Sequence, residues 1–189
     1  VAAISQFARS KNLKMHLDGA RFFNALAETG EKAGDFGKYF DTISICLSKG
    51  LGAPVGSVLL YKKEFESKAR RMRKAFGGGM RQAGFLAAAG IYALDNHVHR
   101  LKEDHGRAKK LGDSLTKLPW VKSVMPVDTN IVIFEVASNL LPEKVLAKFS
   151  EHQIKALQFS ATEIRLVTHL DFTDVMLDNC LSAFSEIKF

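Results

Sequence analysis

The stretch Asp41–Gly56 restricts what this chain can fold into more than any other. It reads Asp-Thr-Ile-Ser-Ile-Cys-Leu-Ser-Lys-Gly-Leu-Gly-Ala-Pro-Val-Gly. Ile43, Ile45 and Leu47 alternate with Ser44, Cys46 and Ser48, the period-two pattern of a strand. Lys49 follows at once, among Gly50, Gly52, Pro54 and Gly56. In an open α/β sheet, ligands bind outside the carboxyl ends of the strands. A lysine placed there, ringed by residues that let the backbone come close, is positioned as a reactive amine. Ser-Lys-Gly by itself would read as a surface lysine in a turn, so the surrounding sequence has to decide.

That context lies upstream. Leu13, Met15 and Leu17 alternate with Lys14 and His16, predicting a second strand that ends in Asp18-Gly19-Ala20-Arg21. Two neighbouring strands would then present a carboxylate, a guanidinium and a lysine at one sheet edge. A pyridoxal phosphate enzyme needs such a set: a lysine that holds the cofactor covalently and an acid that pairs with the pyridine nitrogen. Taken alone, Asp18 and Arg21 read as a helix cap and a surface pair; together with Lys49 they favour the cofactor reading.

Three runs carry a family resemblance. His16-Leu17-Asp18-Gly19-Ala20-Arg21, Ser48-Lys49-Gly50-Leu51-Gly52-Ala53-Pro54-Val55-Gly56 and Gly77-Gly78-Gly79-Met80-Arg81-Gln82-Ala83-Gly84 resemble the low-specificity L-threonine aldolases. These are fold type I pyridoxal phosphate enzymes of the β-eliminating lyase group. A late segment, Ile164-Arg165-Leu166-Val167-Thr168-His169, is similar as well, so the resemblance runs through the whole chain. It implies an α/β fold. Residues 1–97 would form part of the cofactor-binding large domain, a mainly parallel sheet with helices, and residues 98–189 a small α+β C-terminal domain.

The resemblance also implies roles. Lys49 would carry pyridoxal 5'-phosphate, Asp18 would pair with its pyridine nitrogen, and Arg81 would lie near its phosphate, reaching across a subunit interface. Arg21 would lie near the phenolic oxygen and the substrate carboxylate, which Arg165 would grip. Arginine suits this because its planar fork meets a carboxylate bidentately. The implied reaction is retro-aldol cleavage of L-threonine or L-allo-threonine to glycine and acetaldehyde, in a homodimer or homotetramer. Family members also carry a long N-terminal part with a phosphate-cradling loop and a histidine stacked on the pyridine ring. The present sequence corresponds to the C-terminal half, so the expectation for the 189-residue chain by itself is no activity. Alternative readings are another fold type I lyase or transaminase, or a non-catalytic fragment that associates with a full-length subunit.

Charge patterning narrows the partners. The net charge is +7, and residues 61–81 supply +6 of it, with eight Lys or Arg against Glu64 and Glu66. Phe65, Ala69, Met72 and Phe76 fall on one helical face of that window and the charges on the other. No aromatic residues are interleaved as stacking platforms and no recognition-helix or zinc motif is present, which argues against nucleic acid. No apolar run is long enough to span a bilayer, and there is no cleavable signal with a basic start and an apolar centre. Cys46 and Cys180 read as reduced thiols. The expected compartment is the cytoplasm, with the mitochondrion left open.

Along the chain, periodicity predicts a helix from Val1 to about Ser10 that has no N-terminal cap, and a short helix Arg21–Glu28 stopped near Gly30. Glu31–Phe40 reads as a polar connection. A strand Ser57–Tyr61 follows the lysine loop too closely for a helical crossover, so it should run antiparallel to the Lys49 strand. The basic helix comes next, then a helix of small residues over Met80–Asp95 with Arg81 in its first turn. A break around Asn96–His99 precedes a helix running from Leu101 to Leu118. The remainder reads as strand Asn130–Val136, helix Pro142–His152, strands Ile154–Phe159 and Glu163–Thr168, and helix Thr173–Ile187. His97, His99 and His105 match no zinc spacing and are expected on an exposed helix start, with no metal. His169 is expected to be structural.

Overall fold

Alternation in Thr42–Cys46 (β2) buries Ile43 and Ile45 on one side and leaves Thr42, Ser44 and Cys46 half-buried on the other. This strand is the centre of a three-stranded sheet. The sheet belongs to the first of two units, Val1–His99 and Arg100–Phe189, in the computed structural model, which describes residues 1–189.

In the first unit, His16–Gly19 (β1) pairs with β2 in parallel, Leu17 opposite Ile43 and Asp18 opposite Ser44. Ser57–Tyr61 (β3) pairs with the other edge of β2 and runs antiparallel, as its short connection requires. Helices Ala2–Ser10 (α1), Phe22–Thr29 (α2), Glu66–Ala75 (α3) and Gly84–His97 (α4) complete the unit. Gly30, at φ 72°, closes α2 by donating its N–H to the Leu26 carbonyl. The polar connection that follows contains a 3-10 helix, Ala33–Lys38.

One expectation about these helices needs correction. The small-residue helix begins at Gly84, because Gln82 sits at φ 47° in the left-handed region and cannot join a right-handed helix. Arg81 therefore precedes α4. The helix packs through one side only. Gly90, where a Cβ would stand 3.0 Å from Leu47 Cδ1, and Ala93 are buried, while Gly84, Ala87 and Ala88 are exposed. In α3 no residue is buried, and Met72 and Phe76 on its apolar side are exposed.

The second unit is a four-stranded antiparallel sheet with helices packed on one face. Strand order is Val121–Val124 (β4), Ile131–Val136 (β5), Glu163–Val167 (β7), Leu157–Gln158 (β6). Helices Leu101–Leu115 (α5), Pro142–Glu151 (α6) and Asp174–Glu186 (α7) follow their predicted signals: Pro142 opens α6, and Thr173 caps α7 by accepting the Met176 N–H. Val132, Phe134 and Val136 of β5 and Ile164 and Leu166 of β7 point into the core. There Trp120 meets Phe134, Phe149, Phe184 and Phe189 edge-on, with ring centroids 5.7–6.4 Å apart. Each buried side chain of this size contributes about 1.5–3 kcal/mol.

The strand expected over Ile154–Phe159 shrinks to Leu157–Gln158, because the Phe159 and Ser160 N–H groups turn back onto the Glu163 carbonyl. His105 is not exposed, as the sequence suggested. It is buried on the inner face of α5 with Leu101, Asp104, Ala108, Leu111, Gly112 and Leu115, a run at helical spacing. Asp104 is tolerated on that face because Arg100 meets it bidentately at 2.8 and 3.1 Å.

Candidate active site

Parallel pairing sends β1 and β2 out of the sheet at the same edge, so Asp18 and the loop carrying Lys49 emerge side by side from adjacent strands. Asp18 is the third residue of β1; its Oδ1 accepts the Ala20 N–H at 3.1 Å, and the carboxylate has no cation partner. Gly19 makes the close approach possible. A Cβ there would lie 2.5 Å from the Ser44 carbonyl oxygen and 3.2 Å from Phe22 Cβ. The next residues turn into α2, and Arg21 stands half-buried at that helix's N-cap.

The Lys49 loop is folded by its own backbone. The Leu47 N–H donates to the Gly56 carbonyl at 3.0 Å, the Ala53 N–H to Leu47 at 3.0 Å and the Gly52 N–H to Lys49 at 2.9 Å. Gly52 and Gly56 take φ 68° and 107°, which other residues would adopt only under strain. Gly50, Leu51 and Ala53 are buried beneath, whereas Ser48 and Lys49 are exposed, and the Lys49 amine has no anion partner.

One residue of this site was misplaced by the sequence reading. His97 is the last residue of α4, half-buried, and its Nδ1 lies 2.6 Å from the Leu51 carbonyl oxygen. A carbonyl can only accept, so Nδ1 carries the proton and the ring pins the lysine loop from beneath. Tyr92 meets the ring edge-on at 5.5 Å. Nothing in the local sequence marks this contact, which spans 46 residues. No three His, Cys, Asp or Glu side chains gather closely enough to hold a metal ion.

Arg81 is exposed in the bend before α4 and has no ion-pair partner. Arg165 belongs to the second unit. In β7 it lies opposite Ile133 and Leu157, on the sheet face away from the helices, and its Nε is buried without an acceptor. His169 follows β7; it is exposed, and its Nδ1 accepts the Asp171 N–H at 3.3 Å. Thus Asp18, Arg21 and Lys49 share one sheet edge of the first unit, Arg81 stands in a loop of that unit, and Arg165 is carried by the other.

The unpartnered groups suit pyridoxal 5'-phosphate. It has a pyridine nitrogen for a carboxylate, an aldehyde for an amine and a phosphate for an arginine, and Asp18, Lys49 and Arg81 lack such partners within the chain.

Comparison with known proteins agrees with this chemistry. The chain is 45% identical over 168 residues to the low-specificity L-threonine aldolase of Escherichia coli K12, a match that covers 88% of this chain and 48% of the relative. It is 37% identical over 186 residues to low-specificity L-threonine aldolase 1 of Arabidopsis thaliana, covering 97% and 52%. The chain therefore spans about half the length of the curated relatives it matches. A solved structure from Exiguobacterium sp. 255-15, named for the aromatic amino acid beta-eliminating lyases and threonine aldolases, superposes with a TM-score of 0.80. That match has 20% identity and covers 97% of this chain and 55% of that one, and it shows the fold, the α/β fold of the fold type I enzymes. The family profile described as Beta-eliminating lyase matches residues 1–139, and the chain belongs to that family.

Proposed function

We propose that this protein uses pyridoxal 5'-phosphate to cleave L-threonine or L-allo-threonine between Cα and Cβ, giving glycine and acetaldehyde. The observation that carries the reading is the emergence of Asp18 and Lys49, each without a charge partner, at one edge of two parallel strands. The Lys49 amine would hold the cofactor. Asp18 would keep a proton on the pyridine nitrogen, and Arg81 would meet the phosphate. Bound there, the cofactor supplies a ring that accepts the electron pair left on Cα as the bond to Cβ breaks. Arg21 and Arg165 would orient the substrate through its carboxylate, so that the bond to be broken is presented in one geometry. We assign the working assembly as a homodimer or homotetramer of this protein.

Borohydride reduction of the protein loaded with cofactor, followed by peptide mapping, tests the assignment. The label is expected on Lys49; recovery on Lys62 or Lys63 instead would overturn it. Product analysis tests the reaction: supplied with the N-terminal half that its curated relatives carry, the chain should convert threonine to acetaldehyde and glycine in equal amounts, a yield abolished by Lys49→Ala, and by itself it should give none.

A further inference from the structure

A cavity of about 500 Å³ opens on the helix side of β7 in the second unit, and nothing in the proposed reaction uses it. Leu166 lines it, so it lies on the sheet face opposite the one that carries Arg165. Its apolar lining is built from Leu111, Leu166, Phe172, Phe184 and the exposed Met176. Three of these, Leu111, Leu166 and Phe184, belong to the buried core of the unit. Cys180 adds to the wall; burial pushes its thiol up, so it stays neutral and acts as apolar surface rather than as a nucleophile.

The rim is polar and rich in donors. His152 and Lys155 come from the turn after α6, His169 from the turn after β7, and Asn179 from α7. Lys155 has no ion-pair partner, in contrast to Lys148, which is held by Glu151 at 2.8 Å. The one carboxylate at the rim, Asp171, is 87% exposed, with its Oδ2 3.9 Å from Nδ1 of His169. Its backbone N–H occupies Nδ1 of His169, which leaves Nε2 of a neutral ring as the N–H donor.

The turn behind the rim is fixed before any ligand arrives. Gln153 takes φ 60°, and the N–H groups of His152, Gln153 and Ile154 all return to carbonyls of the last turn of α6, that of Ile154 at 2.8 Å. A concave, preformed space of this volume, apolar below with a few convergent donors above, matches small-molecule sites of about 300–1,000 Å³. Lys155, His152, His169 and Asn179 outnumber the single carboxylate, Asp171, and select an anion.

We propose that this cavity binds a monocarboxylate with an apolar body of about phenyl size, its carboxylate at Lys155 and the Nε2 of His169 and its body against Phe172 and Met176.

The test is a titration of the 189-residue chain, carrying labelled isoleucine and methionine methyl groups, with 4-phenylbutyrate and with the isosteric 4-phenylbutanamide. The methyl signals of Ile154 and Met176 are expected to shift saturably, with the acid binding about 5-fold or more tighter than the amide. Lys155→Gln should weaken the acid and leave the amide unchanged. Cys180→Phe, which fills the wall, should abolish both; Asn179→Trp at the exposed rim does the same without touching the core. Absence of saturable shifts at Ile154 and Met176, or equal affinity for acid and amide, would overturn the proposal. The readout is binding in the second unit, so it stands or fails apart from threonine cleavage.

Discussion

Asn130 and Thr168 hold each other twice across the ends of β5 and β7. The Asn130 side-chain amide donates to the Thr168 carbonyl at 2.7 Å, and the Thr168 N–H donates to the Asn130 carbonyl at 3.0 Å. Each residue is 1% exposed, and the Thr168 hydroxyl donates onward to the Asp104 carbonyl of α5 at 2.7 Å. This clasp fixes the strand that carries Arg165. Leaving a buried carbonyl without its donor costs about 1–3 kcal/mol. Asn130→Leu is expected to destabilise the second unit by that amount in urea unfolding followed by circular dichroism, with an unchanged slope. Thr168→Val, which removes only the hydroxyl bond, should cost about 1 kcal/mol.

Gly19 and Gly30 predict opposite kinds of damage. A Cβ on Gly19 meets the Ser44 backbone oxygen at 2.5 Å, so β1 must move away from β2. Gly19→Ala is expected to lower stability by about 1–3 kcal/mol and to reduce borohydride capture of the cofactor, because Asp18 moves with the strand. Gly30 has open space around it and only its φ of 72° to defend. Gly30→Ala should cost about 1–2 kcal/mol and leave capture unchanged. Calorimetry paired with the capture yield separates the two.

Asp41 makes the first unit acid-sensitive. Its carboxylate accepts the Lys62 ammonium at 2.6 Å and the Met15 N–H at 2.9 Å, and these bonds, that of Lys62 foremost, hold its pKa below the ordinary carboxylate value. A depressed folded-state pKa means that the stabilisation is present above the unfolded value, about 4, and is lost as pH falls through the lower folded-state value. Thermal midpoints measured between about pH 5 and pH 2 should drop more steeply in the wild type than in Asp41→Asn, whose midpoint is lower at neutral pH. Parallel curves would contradict this role.

With the chain supplied with the N-terminal half of its relatives, Arg165→Ala is expected to lower the catalytic efficiency of threonine cleavage by roughly 10- to 200-fold, the worth of a charge-assisted contact of about 1.5–3 kcal/mol. The absorbance band of the bound cofactor should persist. Its neighbours in register, Ile133 and Leu157, are apolar and supply no substitute charge. Unchanged efficiency would remove Arg165 from the substrate site.

Strand alternation made β1 and β2 legible, and the short connection after Gly56 made β3 antiparallel, because both are local consequences of backbone geometry. Caps at Gly30, Pro142 and Thr173 were legible for the same reason. What escaped depends on contacts distant in sequence. The bond from His97 to Leu51 leaves no periodic trace, and the left-handed Gln82 that delays α4 has a side chain with no preference for that region. His105 was misplaced because its polarity outweighed its spacing, although it sits four residues from Leu101 on a face continued by Ala108. The pairing of Asp18 with Lys49 at one edge could be inferred from motif order, but the hold of Gly19 on Ser44 needed coordinates.

The aromatic cluster around Trp120 gives the molecule two separate optical labels. The only tryptophan lies in the second unit, and all three tyrosines, Tyr39, Tyr61 and Tyr92, lie in the first. The indole N–H is buried with no acceptor, among phenylalanine rings. Its emission should therefore be blue-shifted when the second unit is folded and should move to the red only when that core opens to water. Excitation at the red edge of the spectrum then follows one unit, while tyrosine absorbance follows the other, within a single unmodified polypeptide.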